Sequence, residues 1–292
     1  WSKDAVYGEL ENKRKNDIAW RGGRAFAYVY DGGAEIEEVA KKAFTSFLSE
    51  NGLDPTAFPS LIQFENDLVT IARAHLSGGP DVVGTFTSGG TESIMLAVKA
   101  ARDLAKAKRG VTAPEMVVPI TAHAAFHKAG RYLGVKVIGT PVDPKTFKAD
   151  VAAMEAATNE NTVLVVGSAS GYAHGVVDPI REIGALASRK GTLCHVDGCI
   201  GGFVLPYFAR LGAKVTDFDF RVPGVTSISM DLHKYALTPK GASLVLYAND
   251  ELRRAQYFAC SRWTGYTMIN ATIQSSKSGG PLAAAWAVMH HV

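Results

Sequence analysis

Apolar residues recur at helical spacing in the first third of the chain. Within residues 34–51 the apolar residues fall on one side of a helix, at Ile36, Val39, Ala40, Ala43, Phe44 and Phe47. Gly52 follows as a helix stop signal. The same spacing predicts a second helix over residues 60–77 and a third over 91–108. Residues 1–33 are polar and glycine-bearing, so we predict that they form an N-terminal arm rather than part of the core.

After residue 110 the pattern changes, and short apolar runs alternate with helical stretches. The runs predict strands at 116–120, 135–139, 162–167, 192–196, 225–230 and 243–247, and the helical stretches lie at 124–133, 151–157 and 180–190. Such alternation indicates crossover connections and a mostly parallel sheet flanked by helices on both faces. We therefore predict one α/β domain over residues 34–292, with ligands bound beyond the carboxyl ends of its strands.

Composition narrows the class of protein. Hydrophobic residues make up 47% and charged residues 20% of the 292 positions, which is typical of a folded globular chain and not of a disordered one. The net charge of +3 (31 − 28) provides no basic stripe, so we expect no nucleic-acid partner. The chain lacks an apolar run of about 18 residues, so we expect no membrane span in it.

The three cysteines and the two chain ends add two expectations. The cysteines form no C-x-x-C pair, which favours a reducing compartment such as the cytosol. The chain begins at Trp1 and stops at Val292 inside a helical apolar pattern. We therefore expect the natural protein to extend beyond one or both ends.

The first segment with candidate chemistry is Thr87-Ser88-Gly89-Gly90-Thr91-Glu92-Ser93, which opens the third predicted helix. Two glycines allow close backbone approach, Ser88 and Thr91 offer hydroxyl donors, and a helix start exposes N–H groups, so the segment suits a phosphate. It contains neither the Walker A pattern nor G-x-G-x-x-G. The alternative is a glycine-rich turn in which Thr91 caps the helix.

Two later segments end strands with chemically useful residues. Asp197 closes an apolar run and is followed by small residues, so its carboxylate can face a flat ligand, or else simply cap a loop. The run 227–230 leads into His233 and Lys234. A lysine at a strand end is easily desolvated and loses its charge readily, which suits Schiff-base chemistry, although most lone lysines lie on surfaces.

Two other chemistries find little support. His123 and His127 lie four residues apart on one predicted helix face, but no third ligand stands at close spacing, so we expect no metal. Serine hydrolases use a G-x-S-x-G turn, and the segment 167–171 has Ala169 at its centre.

In combination, the three segments match the needs of pyridoxal phosphate. That cofactor requires an anion cradle, a carboxylate at its pyridine nitrogen, a flat group over its ring and a lysine for its aldehyde. Residues 87–94, 195–203, 233–235 and 239–241 resemble the group II pyridoxal-phosphate decarboxylases, and within them the sphingosine-1-phosphate lyases. The resemblance extends over residues 23–292.

The resemblance implies the large domain of a fold type I pyridoxal-phosphate enzyme, without the small C-terminal domain of that fold, in a homodimer with shared active sites. It implies the cofactor contacts Ser88, Gly89, Gly90, Thr91, His123, Asp197, Cys199, His233 and Lys234. Lys234 would hold the aldehyde, Asp197 the pyridine nitrogen, and His123 and Cys199 the two ring faces. The implied substrate contacts are Tyr30, Asn51, Asp54, Tyr172 and Lys240.

The implied reaction is retro-aldol cleavage of a phosphorylated long-chain amino alcohol, such as sphingosine 1-phosphate, to an aldehyde and phosphoethanolamine. Its base would be His123, Tyr172 or the freed Lys234. Amino-acid decarboxylation is the alternative, because the same electron sink serves both. An inactive relative would be expected to lose Lys234 or Asp197, and a dehydrogenase would carry G-x-G-x-x-G; neither condition is met.

Departures from the family pattern fall on the substrate side. Asp54 stands where the family has an imidazole, and its charge would repel a substrate phosphate unless Lys240 and Lys277 offset it. Other departures affect a family arginine, tyrosine and proline, at Lys277, Met268 and Ala271.

Overall fold

The computed structural model describes residues 1–21 and 23–292. Its helices are α1 (Lys3–Lys13), α2 (Ala34–Ser46), α3 (Pro59–His75), α4 (Gly90–Arg109), α5 (Ala124–Leu133), α6 (Val151–Ala157), α7 (Ile180–Lys190), α8 (Gly201–Arg210), α9 (Asp250–Arg254) and α10 (Gly279–His291). Its strands are β1 (Val83–Thr87), β2 (Glu115–Pro119), β3 (Lys136–Thr140), β4 (Thr162–Ser168), β5 (Leu193–Asp197), β6 (Ser227–Met230), β7 (Ser243–Tyr247), β8 (Phe258–Cys260) and β9 (Met268–Asn270).

Seven strands form the main sheet, in the order β1-β7-β6-β5-β4-β2-β3. The pairs β2–β3, β2–β4, β4–β5 and β5–β6 are parallel, while β7 is antiparallel to both β6 and β1. Six strands therefore point the same way and only β7 runs against them. A loop alone joins β6 to β7, as antiparallel neighbours allow. The predicted mostly parallel α/β sheet is confirmed.

Helices cover both faces of this sheet. In β4, Val165 packs in the cluster that contains Ile180 and Ile183 of α7. Its neighbours Leu164 and Val166 pack on the opposite side, in the cluster that contains residues of α4 and α5. Successive strand residues face opposite ways, so this division places one helical layer on each face. Every residue of β4 is buried, as expected for a central strand.

The topology gathers the candidate residues at one edge. Thr87, Ser168, Asp197 and Met230 are the last residues of β1, β4, β5 and β6, which all point the same way. The loops that follow these strands therefore meet beyond a common edge, as the sequence predicted.

Some elements were not predicted. The arm contains α1, an exposed helix with no buried residue, capped by the Ser2 hydroxyl. Helix α8 begins with two glycines and contains Pro206, both poor helix signals, but the close approach of Gly201 to the carbonyl of Ala169 requires a residue without a side chain. The strands of the hairpin β8–β9 have three residues each, too few for the sequence to show the alternation of a strand. The boundary at residue 33 stays a prediction.

Across the described residues, no helix combines the length and the apolar composition that crossing a membrane requires.

Candidate active site

A cavity of about 350 Å³ lies at the carboxyl edge of the sheet. It brings together all the predicted cofactor contacts and one predicted substrate contact: Ser88, Gly89, Gly90, Thr91, His123, Asp197, Cys199, His233, Lys234 and Tyr172. These residues come from loops that are far apart in the chain but follow neighbouring strands. Their convergence is the central feature of the site.

The predicted anion cradle is the start of α4. Gly89 occupies the N-cap position and Gly90 begins the helix, so Thr91 is not the cap that the alternative interpretation assumed. The first N–H groups of a helix have no partner within it, and they face an anion placed at this end. A side chain at Gly90 would lie 2.7–2.8 Å from the Asp231 oxygens and the Cys199 sulfur. Glycine is therefore required for this close approach.

A buried carboxylate that the sequence analysis did not single out fastens the cradle. Oε2 of Glu92 accepts bonds from the N–H and the hydroxyl of Ser88, at 2.7 and 2.8 Å. Its Oε1 accepts the N–H of Ile273 at 2.9 Å. Glu92 thus ties the cradle to a loop far along the chain. Its position in the first turn of a helix was the available signal.

Lys234 forms an ion pair with a second residue that was missed, Asp231. The distance from Lys234 Nζ to Asp231 Oδ2 is 2.8 Å, and the Asp231 side chain is 2% exposed. Burial works to lower the pKa of Lys234, but the neighbouring carboxylates, Asp231 above all, outweigh it, and the pKa is raised. The expectation that desolvation alone leaves this lysine easily neutral is therefore wrong, because a carboxylate is buried beside it.

His233 stands between the cradle and this ion pair. Its Nδ1 accepts the N–H of Ala242 at 3.2 Å, and its Nε2 is 3.7 Å from Asp231 Oδ2. Burial lowers its pKa, although Asp231 opposes the shift. His233 is therefore a neutral ring at neutral pH, with a proton on Nε2.

Asp197 and Cys199 lie close together at the end of β5. Oδ1 of Asp197 accepts the N–H of Cys199 at 3.1 Å, and Asp197 is 7% exposed. Burial, reinforced by the charge of Asp197, raises the pKa of the Cys199 thiol well above its ordinary value. Cys199 is thus an uncharged packing group and not a nucleophile.

His123 and Tyr172 are the remaining predicted residues that line the cavity. His123 caps α5, and its Nδ1 accepts the N–H of Ala125 at 3.1 Å. A neutral ring with Nδ1 as acceptor carries its proton on Nε2. Tyr172 is 56% exposed, which places it at the opening of the cavity.

Two predicted substrate contacts lie beside this cavity. Lys240 Nζ donates to the carbonyl oxygen of His233 at 2.8 Å and stands 4.9 Å from the centre of the Tyr30 ring. Tyr30 also packs edge-on against Tyr235, at 5.0 Å between centroids. Burial lowers the pKa of Lys240 and raises that of Tyr30. Both residues line a separate cavity of about 400 Å³.

The other two predicted substrate contacts are not brought to the cofactor cavity. Oδ1 of Asn51 accepts the N–H of Lys277 at 3.2 Å and joins two loops. Oδ1 of Asp54 accepts the N–H and the hydroxyl of Thr56, at 2.8 and 2.7 Å. Asp54 is therefore occupied in its own turn, the alternative role of such residues. Contact of either residue with a substrate stays a prediction.

Comparison with known proteins identifies the family. Residues 15–275 match the model described as the pyridoxal-dependent decarboxylase conserved domain. The chain belongs to this family. A sphingosine-1-phosphate lyase of Arabidopsis thaliana is 45% identical over 292 residues, which are 97% of this chain and 53% of that protein. The chain spans about half the length of the curated lyases that it matches.

Two further members of the family match over a larger share of their length. The structure of a sphingosine-1-phosphate lyase of Burkholderia pseudomallei superposes with a TM-score of 0.96 at 37% identity, covering all of this chain and 69% of that one. A probable L-aspartate decarboxylase of Pyrococcus furiosus is 34% identical over 99% of this chain and 76% of that protein. The fold is therefore that of the fold type I enzymes.

The cofactor of this decarboxylase family is pyridoxal 5′-phosphate, and the cavity fits it. The bare helix start at Gly90 suits the phosphate, and His233 adds a donor there. Buried Asp231 Oδ1 has no hydrogen-bond partner among the described residues, so the site contains a hydrogen-bond acceptor that a bound group could use. Lys234 would hold the aldehyde, and Asp197 would hold the ring nitrogen.

Proposed function

We propose that this decarboxylase-family chain carries the active site of a carbon–carbon lyase, which cleaves a phosphorylated long-chain amino alcohol such as sphingosine 1-phosphate to an aldehyde and phosphoethanolamine. The observation that supports the proposal is the convergence of Lys234, Asp197 and the α4 cradle in one cavity. Identity to named lyases of 37–45% over nearly the whole chain supports the choice of reaction.

Each residue has a task in this chemistry. When bound, pyridoxal phosphate supplies an aldehyde that captures amines and a ring that accepts the electrons of the broken bond. Lys234 must give up a proton before its Nζ can bond to a carbonyl carbon, and Asp231 stands within 2.8 Å of it. Asp197, as a carboxylate, keeps a positive charge on the ring nitrogen.

Three residues were candidate bases for the substrate hydroxyl, and the structure disfavours one of them. His123 uses its Nδ1 as the acceptor from Ala125, so its Nε2 carries a proton and cannot accept another. Tyr172 Oη and Lys234 Nζ line the same cavity and remain. We assign the task to these two groups and assign to His123 the holding of the ring face.

The space next to the site suits a long apolar chain. The cavity of about 400 Å³ that contains Tyr30 and Lys240 is otherwise lined largely by apolar side chains: Trp20, Val29, Ile36, Phe44 and Leu237. Lys240 is the cation that would meet a substrate phosphate, and its neighbour Tyr30 supports its position. A substrate with both a phosphate and an alkyl chain would use both features.

The experiment is a product assay. We expect the purified protein, supplied with pyridoxal phosphate and sphingosine 1-phosphate, to release a long-chain aldehyde and phosphoethanolamine in equal amounts. A chain that releases carbon dioxide from amino acids and no aldehyde from the phosphorylated base would overturn the proposal.

Decarboxylation of an amino acid is the second candidate. It is favoured by the 34% identity to the probable L-aspartate decarboxylase, of which the chain spans 76%. The same Lys234 and Asp197 would serve, and the substrate would present a carboxylate instead of a hydroxyl. L-aspartate is therefore the first amino acid to supply in the carbon dioxide assay.

We also propose a homodimer with shared active sites. The support is the arm, where several large apolar side chains are exposed: Trp1 92%, Tyr7 55%, Leu10 56%, Phe26 85% and Tyr28 77%. Surface of this kind in one segment is typical of a partner interface. Light scattering across a range of concentrations tests the proposal, which fails if the protein stays monomeric throughout. The cytosolic location remains a prediction from the cysteine content.

A further inference from the structure

A buried polar chain runs behind Asp197. His195 lies two residues earlier on β5, on the same face as Asp197, and is fully buried. Its Nδ1 is 2.9 Å from the Ser227 hydroxyl and its Nε2 is 3.2 Å from the Ser229 hydroxyl. The Ser229 hydroxyl is in turn 3.4 Å from Asp197 Oδ1. Four polar side chains therefore form one line that ends at the carboxylate.

The register of two strands produces this line. In the parallel pair β5–β6, His195 stands opposite Ser227 and Asp197 stands opposite Ser229. The ring of His195 also packs edge-on against buried Phe126, at 5.9 Å between centroids. Both the strand register and this aromatic contact hold the imidazole in a single orientation.

The carboxylate determines the direction of every hydrogen bond in the line. An ionised Asp197 only accepts, so the single Ser229 proton points to it. Ser229 must then accept from His195, which places the ring proton on Nε2. His195 Nδ1 is left as an acceptor, so Ser227 donates to it. The thiol of Cys199, 3.3 Å from the Ser229 oxygen, adds a second donor there.

We propose that His195, acting through Ser229, is a positioning residue for Asp197, holding it ionised and oriented so that its second oxygen is directed to the cofactor's ring nitrogen. Burial lowers the pKa of His195 to about 4, so the ring stays neutral in the working range. The other ionisable groups that line the cavity with Asp197 are Glu92, His123, Tyr172, Cys199, Asp231, His233 and Lys234. The inference rests on the proposed role of Asp197 and holds for either candidate reaction.

The test is Ser229→Ala in the holoenzyme. Without the hydroxyl donor, Asp197 becomes more basic and draws the proton from the ring nitrogen. A less cationic ring lets the bond between cofactor and Lys234 keep its own proton to higher pH. We therefore expect the pH midpoint of the cofactor's visible absorbance change to rise by about one unit, and kcat to fall about tenfold with little change in KM.

The matched control is Thr192→Val, which removes another buried hydroxyl. Thr192 immediately precedes β5, at the opposite end from Asp197, and donates to the carbonyl of Thr162 at 3.0 Å. We expect it to lower thermal stability without moving the absorbance midpoint. If Ser229→Ala behaves like this control, Ser229 is a packing residue and the inference is wrong.

A second measurement needs no variant. Nitrogen NMR of holoenzyme with ¹⁵N-labelled histidine reports which ring nitrogen carries the proton. We expect His195 to be the neutral Nε2–H form, and a proton on Nδ1 would overturn the inference. If Asp197→Asn also left the absorbance midpoint in place, the proposed role of Asp197 would fail instead.

Discussion

At the scale of single residues, Lys234 has a close counterpart elsewhere in the chain. Lys99 pairs with Asp103 at 2.8 Å, as Lys234 pairs with Asp231, and both lysine side chains are 21% exposed. We expect Lys234→Ala to abolish turnover because it removes the only lysine of the cofactor cavity's lining, while Lys99→Ala leaves turnover in place. Steady-state assays of both variants check this, with melting temperatures to show that each folds.

The charge of Asp231 leads to a prediction about the pKa of Lys234. Its carboxylate is the nearest group that raises the pKa of Lys234, whereas burial lowers that pKa. In Asp231→Asn this opposing charge is removed and burial remains, so Lys234 becomes a free amine at lower pH than in the parent protein. We expect the pH midpoint for capture of pyridoxal phosphate, followed by absorbance, to move down. Asp103→Asn is the control, and an equal shift in it would show that the effect is not local.

Asp197→Asn tests the electron sink. An amide cannot hold the positive charge of the ring nitrogen, so we expect some cofactor to remain bound while the chemical step slows by several orders of magnitude, at about 1.4 kcal/mol of barrier per tenfold. Single-turnover kinetics measure that step directly. Rates near those of the parent protein would reduce Asp197 to a loop cap.

The residues that sequence reasoning found share one property. Each of Ser88, Asp197 and Lys234 lies at the end of a strand or within four residues after it, so the direction of the chain there already places it at the sheet edge. Asn51 differs, because its surroundings depend on packing against residues 276–278, more than two hundred positions later. Asp54 differs in another way, because its carboxylate bonds to Thr56 within its own turn. Asp231 lies between the run 227–230 and His233, but its burial beside Lys234 depends on Gly90 of a distant helix.

At the scale of elements, Gly90 at the start of α4 has a matched control in Gly79, which lies before β1. A methyl group at Gly90 would lie under 3 Å from Asp231 and Cys199, whereas one at Gly79 meets open space. We expect Gly90→Ala to cost about 1–3 kcal/mol of unfolding free energy and to weaken cofactor binding. Gly79→Ala should change neither. Denaturant unfolding and cofactor titration of the two variants check the comparison.

The sequence predicted elements correctly where the helical spacing of apolar residues continues over many positions, as in α4, or where a run is largely apolar, as in β4. It failed for α8, whose glycines and Pro206 oppose a helix until tertiary contacts are present. It also failed for β8 and β9, each of three residues, where alternation cannot be seen. Local pattern was insufficient in both cases because packing decides the structure.

At the scale of the whole molecule, the buried neutral histidines lead us to expect that the free energy of unfolding falls in acid. The pKa of His195 is about 4 in the fold and ordinary, near 6.5, in the unfolded chain. The unfolded state therefore binds the proton first, and stability is lost as the pH falls from about 6.5 to 4, by up to about 3 kcal/mol from this residue. His75 and His233, whose pKa values are also lowered, act in the same direction.

Denaturant unfolding at pH 7.5 and pH 5 measures this loss. His195→Gln should flatten the dependence, and His127→Gln, at an exposed position, should leave it unchanged. If the unfolding free energy changed equally between the two pH values in the parent protein and both variants, His195 would not titrate in this range.

The packing of α10 on α2 has a consequence for biosynthesis. The Phe44 ring lies against Gly280, and the N–H of Gly279 donates to the carbonyl of Glu50 at 2.8 Å. A ribosome must make residues 47–278 before this contact forms, which takes roughly 10 to 50 s at typical elongation rates. Until α10 has been made, the apolar side of α2 lacks the helix that covers it in the fold. We therefore expect chaperones to bind the nascent chain at α2.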